Sequence, residues 1–245
     1  MTLQGKVAII TGSSRGIGRA IANRLSRDGA AVVINYVGRE QQAREAVQEI
    51  EKNGGRAIAL AADVSKSADV GRLFDATMDK FGHVDILVNN AGVILYKLLA
   101  DTSEADFDRL FAINAKGTFL ACQQAAKRLA DNGRIVNFSS STTAMMLPTY
   151  GTYVATKGAV EQMSHVLARE VGIRGITVNV VSPGPTETEL FMTNKSDEDI
   201  QRAAKSSAFG RLGQPQDIAG VVAWLVSDDA RWVTGQNIRA NGGLI

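Results

Sequence analysis

The chain has 245 residues, 45% of them hydrophobic and 21% charged, with 4 prolines against 24 glycines. It is long enough for one large α/β domain or two small ones, and too apolar for wholesale disorder or a collagen-like array. Lys plus Arg number 27 and Asp plus Glu 25, a net charge of +2, so there is no basic field to recruit nucleic acid.

A lone cysteine, Cys122, excludes an internal disulfide framework and a cysteine metal cluster. No apolar run approaches the ~18 residues of a membrane span. The opening Met-Thr-Leu-Gln-Gly-Lys lacks the basic-then-apolar pattern of a signal peptide. A soluble, cytoplasmic protein is expected, with neither nucleic acid nor a membrane as partner.

Apolar runs recur at 7–11, 31–36, 57–61, 86–89, 134–138, 176–181 and 236–240. They are nearly continuous rather than alternating, which predicts strands covered on both faces, as in a parallel sheet. Helical periods separate them. Ile17, Ile21 and Leu25 recur every fourth position, and Ala43, Val47 and Ile50 fall at i, i+4 and i+7. Val70, Leu73, Phe74, Met78 and Phe81 make a fuller apolar stripe. Ser103 with Asp106 fits a capping box opening a helix over 103–130, and further helices are predicted at 152–172 and 215–227. The alternation implies a single doubly wound Rossmann-type α/β domain over 1–245. Its seven-stranded, mostly parallel sheet carries helices on both faces. Residues 185–212 interrupt the rhythm, and a connection of that length predicts a substrate-binding lid.

The first strand runs straight into Thr-Gly-Ser-Ser-Arg-Gly-Ile-Gly at 11–18 and then a helix. Gly12, Gly16 and Gly18 allow a sharp turn and a close approach of backbone to ligand. The helix start offers unpaired N–H groups to a pyrophosphate, with Ser14, Arg15 and Ile17 on the same loop. Their spacing, G-x-x-x-G-x-G, differs from the commoner G-x-G-x-x-G. An NAD site wants an acid at the end of the second strand for the ribose 2′-hydroxyl. Here stand Asn35 and Tyr36, with no acid until Glu40, whereas Arg15 and Arg39 suit a 2′-phosphate. NADP(H) is therefore the expected cofactor. Asp63-Val64, closing the third strand, reads equally as an acceptor for the adenine amino group or as a turn residue.

Further motifs follow in order: Asn89-Asn90-Ala91-Gly92, then Asn114-Ala-Lys-Gly117. After them come Ser139-Ser140-Ser141, Tyr153-Val-Ala-Thr-Lys157 and Pro183-Gly184. With the glycine loop, this resembles the short-chain dehydrogenase/reductase family along essentially the whole chain. The branch it looks most like holds NADPH-dependent ketoreductases and 3-oxoacyl-carrier-protein reductases. The resemblance implies a tetrad of Asn114, Ser140, Tyr153 and Lys157, Ser140 being chosen because the family places this serine 13 residues before the tyrosine. It also implies that Asn90, Ala91, Gly92, Pro183, Gly184 and Thr188 surround the cofactor, that Asn114 holds a proton-relaying water, and that the protein is a homotetramer or dimer.

The chemistry is consistent with these residue types. Tyr153 and Lys157, at i and i+4, share a helix face. An ammonium beside a phenol lowers its pKa from about 10, Lys157 also suits a ribose hydroxyl, and Ser140 is a fixed donor to a carbonyl oxygen. Tyr150 is the rival tyrosine, but position 154 is Val. His83, His165 and Cys122 read as incidental or core residues, and Trp224 and Trp232 as packing residues. An apolar ketone or aldehyde would suit Met145, Met146, Leu147, Phe191 and Met192. A 3-oxoacyl thioester on an acidic carrier would instead call on Lys127, Arg128, Arg169 and Arg174. The rival readings are an NAD-linked sugar, polyol or secondary-alcohol dehydrogenase, and a non-enzymatic dinucleotide sensor.

Overall fold

The apolar runs pair side by side into one sheet in the computed structural model, which describes residues 2–193 and 195–245. The strands are β1 (Val7–Ile10), β2 (Ala31–Tyr36), β3 (Arg56–Ala61), β4 (Ile86–Asn89), β5 (Arg134–Phe138), β6 (Thr177–Pro183) and β7 (Asn237–Ala240). Their order is β3-β2-β1-β4-β5-β6-β7. Every strand pairing is parallel, so the sheet is wholly rather than mostly parallel.

Both faces are covered because successive side chains point to opposite sides. Ala8, Ile10, Val32, Ile34, Ile86 and Val88 pack under helices α1 (Gly16–Arg27), α2 (Glu40–Lys52) and, further along the chain, α10 (Pro215–Leu225). The row Val33, Ile9, Leu87, Ile135 and Val178 faces α3 (Ser67–Phe81), α5 (Gly117–Arg128) and α7 (Gly151–Glu170). Cys122 lies in this second layer, buried, with Asn89 Nδ2 3.4 Å from its sulfur. Burial in apolar surroundings pushes its thiol up to about 12. Trp232, expected to pack, is 96% exposed, and Trp224 also reaches the surface.

The helix expected over 103–130 is divided. Ser103 and Asp106 do form the capping box, opening α4 (Glu104–Leu110). A π-helical turn, Phe111–Lys116, then intervenes before α5. The stretch 185–212 holds two helices of its own, α8 (Glu189–Met192) and α9 (Asp197–Ser206), and α6 (Thr142–Met145) follows β5. The strand order reverses between β1 and β4, which opens a crevice at the carboxyl ends of the strands, the place where ligands of such sheets bind.

Candidate active site

The turn leaving β1 is built by exclusion of side chains. Gly12 has φ +61°, and a Cβ there would stand 2.9 Å from Ala91 Cα. Gly18 lies in the first turn of α1, where a Cβ would meet Asn90 Nδ2 at 2.6 Å and Gly12 O at 2.7 Å. Asn90 laces the two loops together, donating from Nδ2 to the carbonyls of Thr11 (2.9 Å) and Gly12 (3.0 Å). The Thr11 hydroxyl accepts from the N–H groups of Asn90 and Ala91, each at 3.0 Å. Helix α1 carries no acid in its first turn, so its positive end is not neutralised from within. A backbone cradle that side chains would fill, facing an uncompensated helix start, fits a pyrophosphate.

The expected adenosine-end residues divide into two groups. Asn35 is buried and turned inward. Its Oδ1 accepts from Gly12 N–H (3.1 Å), and its Nδ2 donates to the carbonyls of Leu60 (3.3 Å) and Ala62 (2.9 Å). Its side chain braces the glycine loop against the end of β3. Asp63 uses Oδ1 on the N–H (3.0 Å) and hydroxyl (2.7 Å) of Ser65, a turn-forming arrangement. Val64 is buried, its Cγ2 filling the space a Cβ on Gly117 would need. Ser14 is buried in the loop, and Tyr36 packs at the end of β2. Arg15 and Arg39, the residues flanking α1 and α2, do converge. Both guanidiniums pair with Glu189, Arg15 on Oε2 and Arg39 on Oε1 at 3.2 Å. Two cations placed to share one oxyanion fit a 2′-phosphate.

The expected tetrad residues gather around the first turns of α7, where it packs at the carboxyl end of β5. Tyr153 and Lys157 sit one turn apart, and Tyr153 and Ser140 line the same cleft. Lys157, buried, donates to the Phe138 carbonyl at 2.8 Å, and its Nζ is 5.8 Å from the Tyr153 ring centroid. Burial pushes the phenol up to about 12, with the nearby Ser140 hydroxyl acting against it, and lowers the lysine to about 8. Lys157 is not among the groups that shift the phenol; its ammonium is turned to the Phe138 carbonyl, and desolvation dominates.

Asn114 lies in the π-helical turn. Its Oδ1 accepts from Val93 N–H (2.8 Å), and its Nδ2 donates to Val93 O (2.9 Å) and Thr156 Oγ1 (3.1 Å). The side chain is therefore a strut between the β4 turn and α7. The backbone carbonyl of Asn114 accepts from Thr118 Oγ1 at 2.8 Å. Gly92 fits between Asn114 and Lys157, a Cβ there lying 3.3 Å from Oδ1 and 3.5 Å from Nζ.

Sequence reasoning overlooked three supports. The N–H (3.3 Å) and hydroxyl (2.8 Å) of Thr142 both point to Ser140 Oγ. Glu161 accepts from the hydroxyls of Ser139 (2.6 Å) and Thr143 (2.8 Å), anchoring the serine turn to α7. Its place at i+4 from Lys157 was a usable signal. Tyr96 stacks edge-on against Tyr150, with ring centroids 5.0 Å apart.

Ser140, Tyr153 and Lys157 line a cleft of about 210 Å³, whose lining does not include Asn114. Its polar side carries Asn90, Ser140, Tyr153, Lys157 and Thr188, with Pro183 and Gly184 at the end of β6. Its apolar side is formed by Tyr96, Met145, Leu147, Tyr150, Leu190 and Phe191. Met146 instead points outward, 77% exposed. The basic residues considered for an acidic carrier do not gather here. Arg174 pairs with Asp131 and donates to Ala126 O, alongside Lys127 and Arg128 at the far end of α5, and Arg128 pairs with Asp75. Arg169 lies sixteen residues beyond Tyr153 on α7, roughly 24 Å along the axis.

Residues 12–245 match the family described as enoyl-(acyl carrier protein) reductase. An uncharacterized oxidoreductase of Methylorubrum extorquens is 47% identical over 244 residues, spanning 99% of this chain and 98% of its own length. A protein of Arabidopsis thaliana named as a chloroplastic NADPH-dependent aldehyde reductase-like protein is 44% identical, spanning 100% of this chain and 96% of its own. Among solved structures, the angucycline C-6 ketoreductase LanV with bound NADP superposes with a TM-score of 0.94 at 42% identity, covering 99% of this chain and 96% of that one.

Proposed function

The chain belongs to the short-chain dehydrogenase/reductase family, and from that premise we propose that it uses NADPH to reduce a ketone or aldehyde to an alcohol. The observation that carries the reading is the pair of hydroxyl residues, Ser140 and Tyr153, lining one half-apolar cleft with Lys157 beside the glycine loop. Under this reading the glycine loop and α1 start would hold the pyrophosphate, Arg15 and Arg39 the 2′-phosphate, and Lys157 the nicotinamide ribose. Ala91, Gly92, Pro183, Gly184 and Thr188 would flank the nicotinamide end. The NADP in the angucycline ketoreductase supports the choice of dinucleotide. When bound, the cofactor supplies the hydride.

The remaining work falls to the chain. Thr142 fills the acceptor side of Ser140 Oγ, leaving the serine hydrogen free to donate to a carbonyl oxygen. Tyr153, held protonated by burial, is the acid that delivers a proton to that oxygen. As the phenol loses its proton, the Lys157 cation one turn away stabilises the phenolate. Tyr96, Met145, Leu147 and Phe191 give the substrate an apolar seat, and residues 185–212 close over it as part of one domain. The distance of Lys127, Arg128, Arg169 and Arg174 from this cleft favours a free carbonyl compound over a carrier-linked one.

Optical measurement of NADPH oxidation across aromatic ketones, aliphatic ketones, aldehydes and 3-oxoacyl thioesters tests the reading. Turnover is expected with the apolar ketones or aldehydes. NADPH is preferred over NADH by about tenfold or more, since charged hydrogen bonds contribute ~1.5–3 kcal/mol. Tight NADPH binding without turnover of any carbonyl would favour a dinucleotide sensor instead.

A further inference from the structure

We propose that Glu189 is a built-in occupant of the 2′-phosphate site. NADPH then binds only as this carboxylate lets go, and helix α8 is released with it. The inference rests on the cofactor reading above and adds to it a residue that sets phosphate affinity.

Three separate elements meet at this carboxylate. Arg15 leads into α1, Arg39 leads into α2, and Glu189 is the first residue of α8. Each guanidinium addresses a different oxygen of Glu189, the arrangement two arginines adopt around a phosphate monoester. The Arg15 hydrogen bond, and then the charges of both arginines, hold the Glu189 carboxyl below the usual carboxylate range, so it is an anion at neutral pH.

The occupant is also displaceable. Its side chain is 54% exposed, and ion pairs in that setting are weak. A phosphate brings more charge and three acceptor oxygens to the same donors. An adenosine without the 2′-phosphate has nothing to offer Arg15 and Arg39 in exchange, and leaves Glu189 in place.

Release at this end is felt in the catalytic cleft. Thr188 lies against the glycine loop, its Cγ2 3.6 Å from where a Gly16 Cβ would be, and caps α8 by accepting from Phe191 N–H at 3.2 Å. Leu190 and Phe191, the next two residues, line the cleft that holds Tyr153. Phosphate recognition therefore frees the segment that shapes the substrate seat, and a ligand bearing that phosphate is the one that remodels it.

Calorimetric titration of wild type and Glu189→Gln with 2′,5′-ADP and with 5′-AMP tests this without turnover. The variant is expected to bind 2′,5′-ADP about fivefold more tightly, two weak exposed pairs having been removed, with its 5′-AMP affinity unchanged. Amide hydrogen exchange at residues 189–193 should be faster in the ligand-free variant, and in wild type on adding 2′,5′-ADP but not 5′-AMP. Equal 2′,5′-ADP affinity in the two proteins overturns the proposal. So does tighter binding without a change in exchange, because the carboxylate would then act only through its field. If wild type itself does not discriminate 2′,5′-ADP from 5′-AMP, the NADPH reading fails first and this inference with it.

Discussion

Tyr153→Phe lowers kcat for carbonyl reduction by about 10²- to 10⁴-fold, the range associated with a positioned proton donor. The fold is unaffected, because the lost hydroxyl faces Ser140 in the cleft and not the core. Tyr150→Phe is the matched control. Tyr150 lies 6.4 Å from Tyr153, ring centroid to centroid, and packs on Tyr96, so its loss alters the seat of the substrate. It is expected to move KM more than kcat. Steady-state kinetics on both variants, with far-ultraviolet circular dichroism as a fold check, decide the matter. Wild-type turnover by the Tyr153 variant sinks the mechanism.

Lys157→Met is the second large loss. The variant keeps the aliphatic stem and removes the cation placed one turn from the phenol, and kcat/KM should fall by about 10²-fold or more. The wild-type pH profile carries a matching signature. Burial sets the Lys157 ammonium near 8, whereas Tyr153 near 12 stays protonated throughout the working range. Because kcat/KM for NADPH reports the free enzyme, it should decline as pH rises through about 8 and the lysine loses its charge. The same ionisations bear on folding. A lysine whose folded pKa is lowered binds fewer protons folded than unfolded, so its contribution to stability grows as pH rises from about 8 toward its ordinary 10.5. A tyrosine raised from 10 to about 12 works the other way, and its contribution is lost as pH passes from 10 to 12. Denaturant midpoints at pH 8 and pH 10 should therefore rise in wild type by an increment that Lys157→Met lacks.

Much of the sheet was legible because buried parallel strands need continuous apolar, β-branched runs. Val-Val-Ile at 32–34 and Ile-Leu-Val at 86–88 leave few alternatives. The expected tetrad came from motif order and a family resemblance, and the structure brings Ser140, Tyr153 and Lys157 of it into one cleft. What escaped has common physical causes. The π-turn at Phe111–Lys116 adds one residue inside a helix, and a hydrophobic period of 3.6 averages it away. Helices α8 and α9 bury no residue fully, so they carry no apolar stripe, although Ser196 and Asp199 form a capping box that could have been read. Asn35 was placed by its position at the end of β2, but its partners, Gly12 and the carbonyls of Leu60 and Ala62, are set by the packing of three strands. The pairing of Arg39 with Glu189 joins residues 150 positions apart, a separation no local pattern encodes.

The seclusion of Cys122 makes it a reporter. With its sulfur in the second core layer and its ionisation pushed to about 12 by burial, a native molecule offers alkylating reagents no thiolate. Cysteine trapping then proceeds at the pace of whole-domain opening, and a timed exposure to maleimide measures how often the sheet comes apart without any denaturant or engineered probe.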